Sequence, residues 1–538
     1  MHLRRCLALA LLAACASEAP GAVSTRKVEP GKADSSAEAV FVDFRFDAEL
    51  ITDRSWNPAG QIENQLLYTV GQLNGSRGVG RLDQVELSDV DVAAQEDGTY
   101  LVRYSARLPV AWGRRADVPN EYTLQLPRDV RSSALTDFAD TYGHSCVDWG
   151  AHDVDSGSMW YYYRPSRRGC SFAQGSIMET VADVSASDIQ TTGRFPEYDL
   201  VWQDNILRVV AVFGKYEDGA TSSGDAGIAA YNTFAREMNR TLAEYASGNV
   251  DLRTEPEVIP SSPGVEHDEL RWHGILPDGN EVEVVALLVD NVRTAGRAFD
   301  DRYGELSSDA DLIFYNGHAG LGANIRALAR KGQWVEGQYA VVFMNGCDSY
   351  AYVDSALWDA HAEINPDDAE GTKYLDLISN ALPSYFRSMP RATLALIDGL
   401  LAYDAPRTYE QIFADIDSQQ VVLVSGEQDN TFTPGGGGVA EPEWNGLSEA
   451  GALARGESTD FETPVLPAGR YVFELDGEGD ADLYVRIGAA PTEADYDCRP
   501  YRSDSRERCE IDLAADAPLF VAVRGYSESS FTLAASRL

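Results

Sequence analysis

The hydrophobic pattern of the chain changes its period twice. From residue 40 to about residue 190, apolar and polar residues alternate in short runs, which predicts an antiparallel β domain. From about residue 195, continuous apolar runs alternate with helical patterns, which predicts a mostly parallel sheet with helices on both faces. Short alternating runs return after about residue 444 and predict a β-sandwich. The predicted fold class is α/β, with an N-terminal antiparallel β domain and a C-terminal β-sandwich flanking the central sheet.

Individual elements of the central segment follow from the same pattern. Apolar runs predict strands over 207–213, 283–289, 311–316, 339–345, 392–397 and 421–424, and helical patterns predict helices over 293–303, 323–330, 375–386 and 409–416. Ala230, Phe234, Met238 and Leu242 recur every four residues, as on the buried face of a helix. In the N-terminal domain, the aromatic residues 160–163 are interpreted as a strand packed beside a disulfide.

The expected domain organisation follows from these changes of pattern and from two stretches of linker composition. The segments are a signal peptide over 1–15, a flexible tether over 16–38, an N-terminal β-rich domain over 39–192, an α/β domain over 195–430, a Gly-rich linker over 431–443 and a C-terminal β-sandwich over 444–538.

Two of the apolar runs, about thirty residues apart, end in the same way. One leads into Asn316-Gly317-His318 and the other into Asn345-Gly346-Cys347. Apolar runs of this length are typical of strands that are buried on both faces of a parallel sheet. Ligands bind at the carboxyl ends of such strands, so His318 and Cys347 are expected at one site. A thiol nucleophile beside an imidazole base is suited to acyl transfer.

These two blocks resemble the caspase-like cysteine peptidases, the clan that includes caspases, gingipains, clostripain and separase. In that clan the catalytic histidine precedes a glycine and the catalytic cysteine follows Ala or Gly. Gly346-Cys347 fits this pattern, whereas Ala319 separates His318 from Gly320. The resemblance covers roughly residues 200–430, and the gingipain branch is the nearest.

The resemblance implies a role for each of these residues. Cys347 would be the nucleophile, and His318 would be the general acid and base. The backbone amides of Cys347 and Gly320 would form the oxyanion hole, with the Ala319 amide as an alternative second donor because of the additional residue. Members of the clan often cleave after Arg or Lys through an acidic pocket, for which Asp348 is a candidate.

The N-terminus carries an export signal. Arg4 and Arg5 precede a short apolar stretch that ends at Cys15, which is too short to span a membrane. Residues 12–15 resemble a bacterial lipobox, which implies diacylation of Cys15; cleavage at an ordinary small-residue site is the alternative. The protein is therefore expected at the outer membrane or cell surface, attached to the membrane through a lipid alone, or secreted.

Export to an oxidising compartment determines which cysteines are expected to be oxidised. Pairs within one domain are expected to form disulfides there, namely Cys146–Cys170 and Cys498–Cys509. With Cys6 removed and Cys15 acylated, Cys347 would be the remaining thiol, which is a sign of reactivity in an exported protein. A small buried core thiol is the alternative interpretation of Cys347.

The C-terminal segment resembles the bacterial pre-peptidase C-terminal domain, a small β-sandwich appended to secreted peptidases. The resemblance lies in residues 479–485, in 497–501 with the later Cys509, and in 525–531. It raises the expectation of peptidase activity upstream, although such domains also occur on other secreted proteins.

Composition limits the partners and cofactors. A formal charge of −41 repels phosphate backbones, so nucleic acid is not expected as a partner, and the protein is expected to be a monomer. No metal or nucleotide is required, although the acidic stretches 476–482 and 365–368 could bind calcium; solvated loops are the alternative. His267, His273 and His361 lack the spacing of metal ligands and are predicted at the surface.

The predicted function is an exported, lipid-anchored cysteine endopeptidase acting on protein or peptide substrates through a Cys-His dyad. One alternative is a catalytically inactive caspase-like surface lipoprotein that serves as a binding or scaffold module. Another is a different thiol acyl transfer, such as transpeptidation. Whether the N-terminal domain is a removable propeptide or inhibitory module stays open.

Overall fold

The computed structural model of the chain describes residues 38–151, 153–189, 193–245, 252–416, 420–426, 429–430, 432–434, 446–466, 469–493, 495–513 and 517–537. The predicted signal peptide with Cys15, nearly all of the tether and most of the Gly-rich linker lie outside these residues. The chain divides into two compact units, Met1–Gly436 and Gly437–Leu538. The segments 39–192 and 195–430 therefore belong to one unit.

The first part of the larger unit is built around an antiparallel sheet. Its elements are β1 Val40–Thr52, α1 Pro58–Asn74, β2 Gly78–Gly80, β3 Glu86–Ala94, β4 Tyr100–Trp112, β5 Glu121–Pro127, α2 Ser132–Tyr142, α3 Met159–Tyr162 and β6 Ile177–Ala186. Among the described residues the sheet has six strands in the order β2-β4-β1-β6-β5, with β3 paired to β4. The disulfide Cys146–Cys170 lies in this part.

The alternating pattern predicts this sheet but not its helices. The apolar pattern does not reveal helix α1 because glutamines lie on its buried face. The amide of Gln65, for example, is buried and donates to the carbonyls of Glu49 and Pro127. The prediction of a strand over 160–163 is wrong. Residues Met159–Tyr162 form the short helix α3, which follows a turn in which the Asp155 carboxylate accepts from the Gly157 amide. Of the four aromatic residues, Tyr163 alone forms a β-bridge, with Val147.

The second part of the larger unit holds a mostly parallel sheet. Its strands are β7 Ile206–Gly214, β8 Arg253–Glu255, β9 Glu269–Ile275, β10 Glu281–Val289, β11 Leu312–Asn316, β12 Ala340–Asn345, β13 Leu375–Asn380 and β14 Val422–Ser425. Within the described ranges the sheet has eight strands in the order β14-β13-β12-β11-β7-β10-β9-β8. The five central strands are parallel, and β14, β9 and β8 continue the sheet in antiparallel pairs at its two edges.

Helices cover both faces of this sheet. They are α4 Tyr198–Val201, α5 Ala226–Tyr245, α6 Arg297–Ser307, α7 Ala323–Ala329, α8 Ala356–Ile364, α9 Met389–Leu401 and α10 Tyr409–Phe413. Val209 and Ala211 of β7 pack with α5 and α9 on one face, whereas Val210 and Val212 belong to the core on the other face. That second core continues into the antiparallel sheet of the first part, so the two parts share buried residues.

Two predicted elements of the central segment have the wrong type of secondary structure. Residues 375–386 were expected to be helical but begin with β13, and the predicted strand 392–397 lies within α9. Strand β13 carries buried polar residues, among them Asp376, which accepts from the hydroxyls of Tyr339 at 2.5 Å and Tyr409 at 2.6 Å. The polar residues within β13 resemble the exposed face of a helix, which explains the prediction of a helix over 375–386. Helix α9 is buried and therefore apolar around most of its circumference, which explains the prediction of a strand over 392–397.

The smaller unit is a two-layer β structure. Its strands are β15 Leu447–Leu453, β16 Ser458–Leu466, β17 Gly469–Glu478, β18 Ala481–Ile487, β19 Glu507–Leu513, β20 Ala517–Gly525 and β21 Ser529–Arg537. In the residues described, β15-β21-β17-β19 form one sheet and β16-β20-β18 the other, and both contribute to one core. The disulfide Cys498–Cys509 lies within this unit. No helix in the described residues of the whole chain is long and apolar enough to cross a membrane.

Candidate active site

The ends of strands β11 and β12 bring the two predicted catalytic residues to neighbouring positions. Asn316 pairs with Asn345 in parallel register, so His318 and Cys347 each lie two residues beyond a paired position. Adjacent strands are about 4.8 Å apart. A Cβ atom added to Gly346 would lie 3.1 Å from the Gly317 oxygen and 3.2 Å from the Ala319 nitrogen. The two turns that carry the imidazole and the sulfur are therefore in contact through their backbones.

The imidazole of His318 has a defined orientation. Its Nε2 atom lies 3.2 Å from the backbone oxygen of Tyr216, and because a carbonyl only accepts, Nε2 carries the hydrogen of the neutral ring. Nδ1 is then the basic nitrogen. It is buried and makes no hydrogen bond to any residue in the described part of the chain. Burial lowers the pKa of His318 below 6.5, against the opposing effects of the Tyr216 carbonyl, Asp225 and Asp218. The ring is therefore a neutral base near pH 7.

The turn that carries His318 is held by side chains from its own strand and from α7. The Tyr315 hydroxyl and the Asn324 amide donate to the His318 backbone oxygen at 2.8 and 2.9 Å. The rings of Tyr216 and Phe386 contact the imidazole, with centroids 4.9 and 5.1 Å away. These contacts restrict both the backbone and the ring of His318.

The sulfur of Cys347 is almost completely enclosed, with 3% of the residue exposed. It lies 3.3 Å from the backbone oxygen of Ser384. The sulfur is, however, disulfide-bonded. Nucleophilic chemistry at Cys347 requires the release of that bridge.

A network of buried amides lies beneath the site. The Asn345 side-chain oxygen accepts from Asn380 at 3.1 Å, Ser384 at 2.8 Å and Gln420 at 2.7 Å. Its nitrogen donates to the Asn316 side-chain oxygen at 2.8 Å. Sequence reasoning assigns Asn316 and Asn345 only to strand-end turns and misses the other members. The network ties the ends of β11, β12 and β13 to the loop that contacts the Cys347 sulfur.

The predicted oxyanion donors lie on the same two turns. Gly320 has a φ of 61°, a conformation that favours glycine, and an added Cβ atom would lie 3.1 Å from the Asn324 side chain. The Ala319 nitrogen is the amide that faces the turn of Gly346. Both predicted alternatives for the second donor, Gly320 and Ala319, therefore remain predictions.

Asp348 does not form an open acidic pocket. It is 0% exposed, has a φ of 49° and accepts a 2.6 Å hydrogen bond from the side chain of Asn74 in the N-terminal part. Burial raises the pKa of Asp348 to about 7, against the lowering effects of Arg164 and the Tyr161 hydroxyl. The carboxyl is thus packed beneath residues of the N-terminal part, where a substrate side chain has no access to it.

The other predicted ligands are not gathered into a metal site. Asp482 pairs with Arg499 at 3.1 Å, and the carboxylate of Asp368 accepts from the amides of Thr372 and Lys373. No group of three or more His, Cys, Asp or Glu residues suited to a metal ion occurs in the residues that the structure describes. Calcium binding stays a prediction. The expectation that His361 lies at the surface is wrong, because it is buried against Trp334 and burial lowers its pKa to about 4.

Comparison with known proteins identifies the C-terminal unit. Residues 466–525 match the family model of the bacterial pre-peptidase C-terminal domain, which confirms the resemblance seen in the sequence. The chain is 41% identical over 78 residues to a zinc metalloprotease of Helicobacter pylori, a match that covers 14% of this chain and 30% of that protein. The hemagglutinin/proteinase of Vibrio cholerae is also 41% identical over 78 residues, covering 14% of this chain and 13% of that protein.

These similarities stop at the C-terminal domain, and the chain spans less than a third of the curated relatives it matches. Among solved structures, the C-terminal fragment vEP C-ter 100 is 33% identical, with coverage of 16% of this chain and 88% of that chain and a TM-score of 0.15. The pre-peptidase C-terminal domain of a Bacillus anthracis collagenase is 10% identical, with coverage of 17% and 89% and a TM-score of 0.15.

Proposed function

We propose that the protein is an exported cysteine endopeptidase whose caspase-like α/β domain acts through His318 and Cys347. The observation that carries the proposal is the pairing of the two strand ends. A half-buried imidazole, whose buried Nδ1 has no hydrogen-bond partner among the residues that the structure describes, and an enclosed sulfur project from turns that are in contact. The order of the parallel strands, with β11 and β12 adjacent near the middle of the sheet, supports a caspase-like arrangement.

The chemistry follows from these two groups. His318 Nδ1 takes the proton of the Cys347 thiol, whose ordinary pKa is about 8.5, and the thiolate attacks the peptide carbonyl. The amides of Cys347 and of Gly320 or Ala319 would stabilise the oxyanion. The imidazolium then protonates the leaving amine, which departs and leaves an acyl-enzyme. Water attacks that thioester with His318 as the base, which releases the acid and restores the thiol.

The disulfide at Cys347 is consistent with this chemistry only if maturation removes it. Apart from the four cysteines in the two structural disulfides, the chain has Cys6, Cys15 and Cys347. The sequence predicts that export removes Cys6 and acylates Cys15. The mature protein would then hold Cys347 as a thiol, and a lipid anchor at Cys15 would keep it at the cell surface.

The C-terminal domain supports both export and peptidase activity. The matched relatives carry names such as zinc metalloprotease, neutral protease and extracellular protease. Those names describe proteins whose matched part is this domain alone, so they support a secreted peptidase of some kind. The cysteine mechanism depends on His318 and Cys347.

The test begins with the mature protein purified from a bacterium that exports it. Mass spectrometry is expected to find the Cys347 thiol reduced, and iodoacetamide is expected to label it rapidly near neutral pH. Cleavage of an unstructured protein such as casein, assayed with dithiothreitol, is expected to fall about a hundredfold or more in His318→Ala. His144→Ala, an exposed histidine, is the matched control and is expected to keep full activity.

Three outcomes would contradict the proposal. A disulfide at Cys347 that persists in the mature protein would exclude the nucleophile. Slow labelling that is indifferent to His318→Ala, together with absent cleavage, would favour the inactive binding module. Transfer of the acyl group to an added amine in place of water would indicate transpeptidation.

A further inference from the structure

The residue directly after the proposed nucleophile has a backbone conformation that needs support from its surroundings. Asp348 has a φ of 49°, in the left-handed region that residues other than glycine seldom adopt. A residue persists in this region only where surrounding contacts hold it there. The Asp348 amide donates to the backbone oxygen of Leu382 at 3.3 Å, and the side chain is completely buried. The contacts of Asp348 therefore help to fix the turn that carries the Cys347 sulfur.

A hydrogen bond to the Asp348 side chain comes from the N-terminal part of the larger unit. Asn74, the last residue of α1, donates from its side-chain nitrogen to the Asp348 carboxylate at 2.6 Å. The Asn74 side-chain oxygen accepts from the Arg164 guanidinium at 2.9 Å. Because a guanidinium only donates, this second bond fixes the orientation of the amide and leaves its nitrogen facing Asp348.

Arg164 is itself held in place. Its guanidinium donates to the carbonyls of Gly71 and Tyr163. Helix α1 runs so close to α3 at Gly71 that an added Cβ atom would overlap the backbone oxygen of Trp160. The end of α1 and the residues after α3 are therefore locked together, which leaves Asn74 little freedom to move.

The N-terminal part also covers the residues that follow Asp348. The ring of Phe41 in β1 lies 5.6 Å from the ring of Tyr350, and the ring of Trp160 in α3 lies 6.2 Å from the ring of Tyr352, measured between centroids. Both tyrosines are buried. The hydrogen bond from Asn74 thus belongs to a larger buried contact with the segment that leads away from the nucleophile.

We propose that Asn74 is a positioning residue for Cys347 in the peptidase proposed above, on whose function this inference rests. Asn74 acts through Asp348. Without this hydrogen bond the buried carboxyl loses a donor, and the turn no longer keeps the conformation that holds the sulfur against the Ser384 loop. The N-terminal part is then a retained component of the active enzyme, and neither a removable propeptide nor an inhibitory module.

The test removes the hydrogen bond in the mature protein and then rebuilds it with the partners exchanged. Asn74→Leu keeps about the volume of the side chain but leaves the Asp348 carboxyl without this donor. With dithiothreitol present, hydrolysis of a fluorogenic peptide taken from a casein cleavage site is expected to fall about tenfold or more in kcat. KM is expected to change less, because Asn74 acts on the nucleophile and not on the substrate.

The exchanged pair separates a specific hydrogen bond from a general loss of packing. Asn74→Asp combined with Asp348→Asn restores one donor and one acceptor in reversed positions, and a carboxylate at position 74 still accepts from Arg164. This double variant is expected to recover kcat to within about threefold of the wild type. Asn64→Leu is the matched control, because Asn64 is exposed on the same helix, and its kcat is expected to stay within about twofold.

Labelling of Cys347 gives a second readout that does not need turnover. After reduction, iodoacetamide is expected to modify the enclosed sulfur about threefold or more faster in Asn74→Leu, because the loosened turn exposes it. The exchanged pair is expected to label at the wild-type rate. Peptide mass spectrometry assigns the label to Cys347, and thermal unfolding shows that each variant is folded at the assay temperature.

Three results would overturn the inference: no recovery in a folded double variant, a loss confined to KM, or full activity in a mature species that lacks the N-terminal part. If the wild type cleaves casein and Asn74→Leu behaves like Asn64→Leu, the positioning role fails and the peptidase stands. If the wild type cleaves nothing but the labelling rates rise in Asn74→Leu and return in the exchanged pair, the peptidase fails and the positioning role stands.

Discussion

The amide network beneath the site leads to a quantitative expectation for Asn345→Ala. The substitution removes the acceptor of three hydrogen bonds and the donor of one. Gln420 keeps its 2.9 Å bond to Asn380, and the Asn316 oxygen keeps the 3.0 Å bond from Thr393. The Asn380 amide and the Ser384 hydroxyl each lose this acceptor in a buried environment.

A buried donor that loses its acceptor costs about 1–3 kcal/mol, so two of them lower the free energy of unfolding by about 2–6 kcal/mol. Urea unfolding followed by tryptophan fluorescence measures this change. All but one of the nine tryptophans precede Gly437, so the signal reports mainly on the larger unit. Loosening of the Ser384 loop is also expected to make Cys347 react faster with iodoacetamide once the sulfur is reduced.

Asn120→Ala is the control, because Asn120 is exposed and lies far from the network in sequence. Its effect is expected to stay within about 0.5 kcal/mol. If Asn345→Ala cost no more than this control, the network would not hold the strand ends together. The argument that it positions the Ser384 loop against the sulfur would then be refuted.

Two further expectations concern protonation. Since burial lowers the pKa of His318, the acidic limb of kcat/KM should lie below pH 6.5, and a limb centred above pH 7 would contradict the assigned environment of the ring. Burial raises the pKa of Asp311 from 3.8 to about 8, so the folded state keeps a proton that the unfolded chain releases, and this group's contribution to stability falls as pH rises from about 4 to 8. Asp311→Asn removes this titration, so urea midpoints of the variant should fall less than those of the wild type between pH 5 and 8. Parallel decreases in the two proteins would disprove the role of Asp311.

The elements near the site illustrate why some predictions succeed. Strands β11 and β12 are uniformly buried, so their apolar runs are unambiguous, and Asn-Gly marks the end of each. Strand β13 and helix α9 show the opposite case. The carboxyl of Asp376 is buried because two tyrosine hydroxyls from distant parts of the chain donate to it. No local pattern reveals those partners, and the polar residue suggests a helix surface.

The same distinction applies to the candidate site. His318 and Cys347 are recognisable from residue type and position, because reactive side chains at the ends of buried strands follow a general rule of parallel sheets. The partners of His318 are not recognisable in this way. Tyr216 and Phe386 reach the imidazole from loops that are about 100 and 70 residues away in sequence.

The sequence by itself determined most of the alternation of strands and helices in the central segment, the two turns that carry His318 and Cys347, and the C-terminal domain, since each depends on neighbouring residues along the chain. Only the tertiary structure decided that Asp348 is buried beneath Asn74, that Arg164 fixes the orientation of Asn74, and that buried amides join three strand ends. These features depend on contacts between residues far apart in the chain, and burial and charge at such contacts are set by packing.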